Sequence, residues 1–153
     1  MLRQILQQYR EGQYNRDKGD AFERLICAYL KTDPQYQALF SSVCLWKNWE
    51  EREALGYKLP DTGIDLVATF RDGSGYCAIQ CKFYETAVAM SDLGNFFTLS
   101  GKGGFTQRLI IATAPLTKHA ADALDGQTIP VSIITLEDLE AAPVDWAQFS
   151  IFN

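Results

Sequence analysis

Leu2, Ile5, Leu6 and Tyr9 recur at helical spacing, so the chain opens on a short amphipathic helix that Gly12 ends. A second apolar stripe runs through Ala21, Phe22, Leu25, Ile26, Tyr29 and Leu30. Asp20 and Glu23 stand at capping-box spacing just ahead of it, which predicts Asp20 as the N-cap. Asp33-Pro34 stops this helix, because the residue before proline avoids the helical region. A helical turn is predicted around Tyr36 to Phe40 and a strand over Val43 to Trp49. Glu50 to Pro60 is charged and punctuated by Gly and Pro, and reads as a loop.

Two β-patterned stretches follow, Gly63 to Ala68 and Ala78 to Tyr84, with Asp72-Gly73-Ser74-Gly75 between them as a hairpin turn. Faces alternate along a strand, so Gln80 and Lys82 share one face while Ile79, Cys81 and Phe83 share the other, apolar one. A Gly73-Ser74 loop sets Asp65 opposite Lys82; an Asp72-Gly73 loop sets it opposite Gln80. Either register gathers a carboxylate, an amide and an ammonium on one patch of sheet. A three-residue loop or a bulge would break the arrangement.

Ser91 or Asp92 caps a helix through Phe96, Phe97 and Leu99 that Gly101-Lys102-Gly103-Gly104 ends. Leu109 to Thr113 and Val131 to Ile134 are continuous apolar runs, the pattern of strands buried on both faces. Lys118 to Leu124 and Leu136 to Ala141 read as the helices that follow them. The order predicts an α/β fold, a central mixed β-sheet flanked by helices on both sides. Residues 1–142 form the expected domain. Pro143 to Asn153, carrying Trp146, Phe149, Ile151 and Phe152, reads as a linker or the start of a truncated following domain; an apolar tail docked on its own core is the alternative.

Composition narrows the class. A chain of 153 residues, 47% hydrophobic and 22% charged, is sized and balanced for one globular domain. No apolar run reaches membrane-span length and no signal-peptide core opens the chain, which predicts a cytoplasmic protein away from membranes. Cys27, Cys44, Cys77 and Cys81 lack C-x-x-C spacing and are expected as buried free thiols. A net charge of −5 argues against a free-standing nucleic-acid binder, although an acidic nuclease works where other domains hold the DNA. His119 is the only histidine, so histidine-rich metal sites lack ligands and a Ser-His-Asp triad would have to use a residue on the face of the predicted Lys118 to Leu124 helix. No G-x-x-x-x-G-K-[ST] occurs, so the segment carries no P-loop of its own.

Asp65, fourteen residues, then Gln80-x-Lys82 on a strand pair resembles the PD-(D/E)xK nuclease superfamily, and within it the Mrr-like branch, where Gln replaces the second acid. Lys18-Gly19-Asp20-Ala21-Phe22-Glu23 is similar to that family's first helix with its metal-facing glutamate. Asp61-Thr62-Gly63-Ile64-Asp65-Leu66 is similar to its approach to the first catalytic acid. The strand ending in Thr113 and the segment from Val131 to Leu139 resemble the closing half of the fold. The resemblance implies a restriction-endonuclease-like sheet and Mg²⁺-dependent cleavage of double-stranded DNA, with Mn²⁺ as a substitute. Asp65 would be the principal metal ligand, joined by the Gln80 amide oxygen, the Cys81 backbone carbonyl and Glu23, while Lys82 orients the attacking water and stabilises charge on the phosphate.

Each residue also has a plainer role. Asp65 opposite Lys82 is a cross-strand ion pair worth about 0.2–1 kcal/mol, Glu23 completes a capping box, and Asp61 sits in a turn. Lys102 and Lys118 are expected to contact DNA or to be solvated surface, and Tyr84 to contact DNA, to buttress Lys82 or to cap the strand. The single-chain type ISP restriction-modification enzymes are similar in starting with an Mrr-like nuclease. That predicts a helicase-like motor and methyltransferase on the same polypeptide, and a second nuclease copy for double-strand breaks. A stand-alone repair nuclease or junction resolvase, and a catalytically silent nuclease fold used for docking, are the competing readings.

Overall fold

The computed structural model describes residues 1–12, 15–57 and 63–152, without the side chains of 15–17 and 150–152. Asp61 and Thr62, part of the predicted approach to Asp65, lie outside the described residues.

Helix α1 (Leu2–Arg10) buries the predicted stripe of Leu2, Ile5, Leu6 and Tyr9. Helix α2 spans Asn15–Thr32. It therefore starts before Asp20, and both Asp20 and Glu23 lie inside it. The capping-box expectation is corrected: Glu23 is a helix-interior residue whose side chain caps nothing. Asp33 is the N-cap of α3 (Pro34–Leu39), accepting the Gln35 N–H at 2.9 Å, with Pro34 in the first turn where a missing N–H costs nothing.

Strand β1 (Phe40–Leu45) begins earlier than predicted, and Trp46–Asn48 is a 3₁₀ turn instead of its continuation. Strands β2 (Leu66–Phe70) and β3 (Tyr76–Lys82) form the expected hairpin. After a 3₁₀ turn at Met90–Asp92 come α4 (Gly94–Ser100), β4 (Phe105–Ala112), α5 (Lys118–Leu124), β5 (Val131–Ile134) and α6 (Leu136–Ala141). The last three carry the predicted bounds.

The five strands lie in sequence order, β1 to β3 antiparallel and β3 to β5 parallel, a mixed sheet covered on both faces. One face packs on α1 and α2 through Leu66, Ala68, Ile79, Leu109 and Ile111. The other packs through Val67, Ala78, Ile110 and Ala112 on Leu93 and Phe96 around α4 and on Ala120 of α5. The segment from Pro143, read in the sequence as a linker or the start of a further domain, carries Trp146 and Phe149 into the first core; Trp146 stacks on Tyr29 with ring centroids 5.2 Å apart. All four cysteines are free, Cys77 buried and the others half-buried, and His119 is exposed. Among the described residues no helix is long and apolar enough to cross a membrane.

Candidate active site

The site forms where β2 and β3 part. From Thr69 opposite Tyr76 to Leu66 opposite Ile79 the hairpin keeps a single register, the one that sets Asp65 across from Gln80. The connection is longer than either two-residue loop, since the Phe70 N–H reaches the Gly75 carbonyl across Arg71 to Ser74. Four residues preserve the parity that two would give as far as Leu66 opposite Ile79, one residue short of Asp65.

Past Leu66 the pairing slips. The Asp65 N–H bonds the Ile79 carbonyl at 3.0 Å, one residue short of its register partner, and the Asp65 carbonyl accepts the Trp46 N–H at 2.9 Å. The Asp65 carboxylate takes over the missing strand bonds: its Oδ2 accepts the Cys81 N–H at 2.8 Å and the Gln80 Nε2–H at 2.6 Å. Gly63 makes the approach to this bend possible, because a Cβ there would stand 2.6 Å from the Asn95 carbonyl oxygen of α4.

Gln80 is 5% exposed. It presents its amide nitrogen, not its oxygen, to Asp65. In this arrangement it fixes the carboxylate's orientation, and serving as the expected metal ligand would require turning the amide over. A residue's N–H and C=O project to the same edge of a strand, so the Cys81 carbonyl faces the same side as the N–H that Asp65 holds.

Glu23 enters from α2 and hydrogen-bonds Asp65. Burial, then the neighbouring Asp65 charge, pushes the Glu23 carboxyl up to about 8, so it holds a proton at neutral pH. Burial also raises Asp65, against the opposing pull of the Cys81 N–H, Gln80 and the Lys82 charge. Two carboxyl groups sharing one proton are the electrostatic signature of a site that lacks a positive charge between them.

Lys82, half-buried, ends β3. Its carbonyl accepts the Thr113 N–H at 3.1 Å, and its Nζ sits 5.4 Å from the centre of the Tyr84 ring. Tyr84 hydrogen-bonds Asp92, and burial followed by that carboxylate raises its hydroxyl. Asp92 is itself fixed, accepting the Ala89 N–H at 2.8 Å. Tyr84 thus stands beside Lys82 at the end of β3.

Glu23 and Asp65 separate two cavities. The larger, about 720 Å³, is lined by Arg10, Lys18, Lys82 and Tyr84 as well as the carboxyl pair. The smaller, about 280 Å³, includes Arg24, Lys47 and Trp46 in its wall. Basic side chains therefore flank the acids on both sides. Arg10 went unnoticed in the sequence, where a cation ending a helix is ordinary. Lys102 and Lys118 line neither cavity: Lys102 lies with Tyr57 before β4, at the far end of the sheet, and Lys118 opens α5 on the surface.

Among the described residues no group of three or more His, Cys, Asp or Glu side chains is placed to cage a metal ion. The donors present are nevertheless of the type a hard cation takes. Mg²⁺ keeps several waters and needs only one or two carboxylates from the protein. Asp65 accepts the Gln80 and Cys81 N–H groups on the single oxygen Oδ2, and Glu23 carries a proton that a cation would displace.

The restriction endonuclease family model Mrr_cat_2 matches residues 31–153. Among solved structures, the ATP-dependent type ISP restriction-modification enzyme LlaBIII bound to DNA is 34% identical with a TM-score of 0.74, covering 86% of this chain but 8% of that one. The DNA modification-dependent restriction endonuclease AspBHI, 17% identical with a TM-score of 0.57, covers 97% of this chain and 36% of its own, and shows the shared fold. Among curated proteins nothing matches. The chain thus spans a small part of the enzymes it is similar to.

Proposed function

We propose, from the premise that this chain belongs to the restriction endonuclease family, that it is a Mg²⁺-dependent DNA endonuclease unit with little sequence recognition of its own. The observation that carries the reading is the proton-sharing Asp65–Glu23 pair, set beside Lys82 between two cavities flanked by basic side chains.

Asp65 is the principal ligand, held in position by the Cys81 N–H and Gln80. Glu23 adds a second carboxylate when it loses its proton, and the Cys81 carbonyl and a turned Gln80 amide are further oxygens within the site. A bound Mg²⁺ would supply charge neutralisation at the phosphoryl oxygens and a hydroxide-like nucleophile near neutral pH. Lys82 places its ammonium against the phosphate and the attacking water, where it stabilises charge that grows in the transition state. The Tyr84 ring lies 5.4 Å from that ammonium and forms one side of its surroundings.

The unit works in the cytoplasm as the N-terminal nuclease of a longer, type ISP-like polypeptide whose motor and methyltransferase supply ATP use and target choice. The 34% identity to LlaBIII over most of this chain supports that placement. In it, residues 1–142 together with the packed Trp146 and Phe149 make up the nuclease, and two copies meet to break both strands. The acidic net charge favours it over a free-standing repair nuclease or resolvase. The docking reading draws on Gln80, which leaves the sheet patch one carboxylate short of the acidic pair.

Incubation with supercoiled plasmid tests this. Nicking that requires Mg²⁺ or Mn²⁺ and stops with a chelator is the expected result. A protein that binds the cation and leaves plasmid intact, both alone and within its full-length parent with ATP, would be a docking module.

A further inference from the structure

Arg10 is held in an unusual way for a residue ending a surface helix. Its guanidinium lies 4.1 Å from the centre of the Phe83 ring. Phe83 in turn stacks on Phe22 at 4.9 Å and 12°, and meets Tyr9 edge-on at 6.3 Å. The guanidinium therefore rests on one ring, Phe83, that Phe22 and Tyr9 hold in place, and Arg10, Phe22 and Phe83 line the larger cavity. Its hydrogen bonds are weak by comparison: Nη2 reaches the Tyr84 carbonyl and the Thr113 hydroxyl, both at 3.4 Å. Charge-assisted bonds of guanidinium normally close to about 2.7–2.9 Å. Among the described residues its ion pair, Nη1 to Glu85 Oε1 at 3.3 Å, joins a side chain 21% exposed to one 71% exposed. Such a partner contributes little and exchanges readily with water.

A rigid fork with under-used donors, facing a cavity that also holds Lys18, Lys82 and the carboxyl pair, is organised for an oxyanion. We infer that Arg10 forms a subsite for a nucleic-acid phosphate next to the one being cut, and that Glu85 occupies this subsite in the free protein and is displaced by the incoming strand. The inference rests on the nuclease reading above and adds to it where the backbone is gripped. Release of Glu85 leaves the three cations of the cavity facing only Glu23 and Asp65, so the swing raises the local attraction for a phosphodiester.

Fluorescence anisotropy with a short labelled duplex of arbitrary sequence, at low salt in a chelator, tests this on the whole protein. Arg10→Ala should weaken binding about tenfold and reduce the slope of log Kd against log salt by about one. Because that variant also uncovers Phe83, its thermal melt is recorded, and Glu85→Gln provides the independent arm. Glu85 is exposed, and its neutral replacement should tighten binding about threefold by removing the competitor. Unchanged affinity in folded Arg10→Ala overturns the subsite, and unchanged affinity in Glu85→Gln overturns the displacement. Inorganic phosphate competing at concentrations comparable to the duplex overturns the assignment to nucleic acid. A wild-type protein that binds no duplex overturns this inference and the nuclease reading together, whereas duplex binding without cleavage counts against the nuclease reading alone.

Discussion

At the scale of the residue, the account turns on what holds each carboxylate. Asp65 gives one oxygen to the Cys81 N–H and the Gln80 amide, so its replacement removes both a ligand and the closure of a split strand pair. Asp65→Ala and Lys82→Ala should each lower plasmid cleavage by at least about 10²-fold, the usual loss when a group aimed at developing charge is removed. Lys82→Ala should keep its cation affinity while Asp65→Ala loses it, a split that calorimetry reads directly. Gln80→Glu should tighten cation binding by adding a charge; unaltered affinity there would mean that position 80 acts only through Asp65. Glu23 carries a pH dependence of its own. Its carboxyl, held at about 8 against an ordinary 4.5, keeps a proton in the folded protein that the unfolded chain gives up. That contribution is complete below about pH 4.5 and is lost as pH rises through about 8, so the metal-free protein should weaken across that interval. Urea titrations at pH 5 and pH 8 in a chelator should show the fall, and Glu23→Gln should abolish it.

At the scale of the element, the site depends on a bend between β2 and the chain before it, pressed against α4. Gly63→Ala would drive a methyl group into the Asn95 carbonyl, 2.6 Å from where its Cβ must stand. A destabilisation of about 1–3 kcal/mol is expected, together with a loss of cation affinity as Asp65 shifts; denaturant melts with and without Mn²⁺ separate the two. Much of this architecture was legible in the chain. Lys118–Leu124, Val131–Ile134 and Leu136–Ala141 stand where the pattern put them, because apolar runs there are bounded by Thr117, Gly126 and Thr135, residues with strong local preferences. The start of α2 was not legible. Asp20 and Glu23 have the spacing of a cap, and only the fold reveals that the helix runs on upstream and that Glu23 is turned toward Asp65. Strand β1 was displaced for a related reason, since exposed Ser41 and Ser42 conceal its beginning and Trp46, read as its continuation, opens a 3₁₀ turn. Arg10 and its aromatic support join residues more than seventy positions apart, a contact that no local pattern announces.

At the scale of the whole molecule, an acidic chain with net charge −5 places basic side chains around the proton-sharing Asp65–Glu23 pair. On the proposed nuclease reading, long-range attraction for DNA is expected to be weak and the grip to be local to the two cavities. Binding to duplex DNA should fall steeply between low and physiological salt, and a tethered motor that holds DNA nearby would raise cleavage by increasing local concentration. The measurement that tests the central claim most directly is calorimetric titration of Mn²⁺ into wild-type, Asp65→Ala and Glu23→Gln proteins at pH 7, in two buffers of different ionisation enthalpy. The account predicts binding by the wild type with release of about one proton, binding without that proton in Glu23→Gln, and no binding in Asp65→Ala. A wild type that takes up no cation, or proton release that persists unchanged in Glu23→Gln, would contradict it.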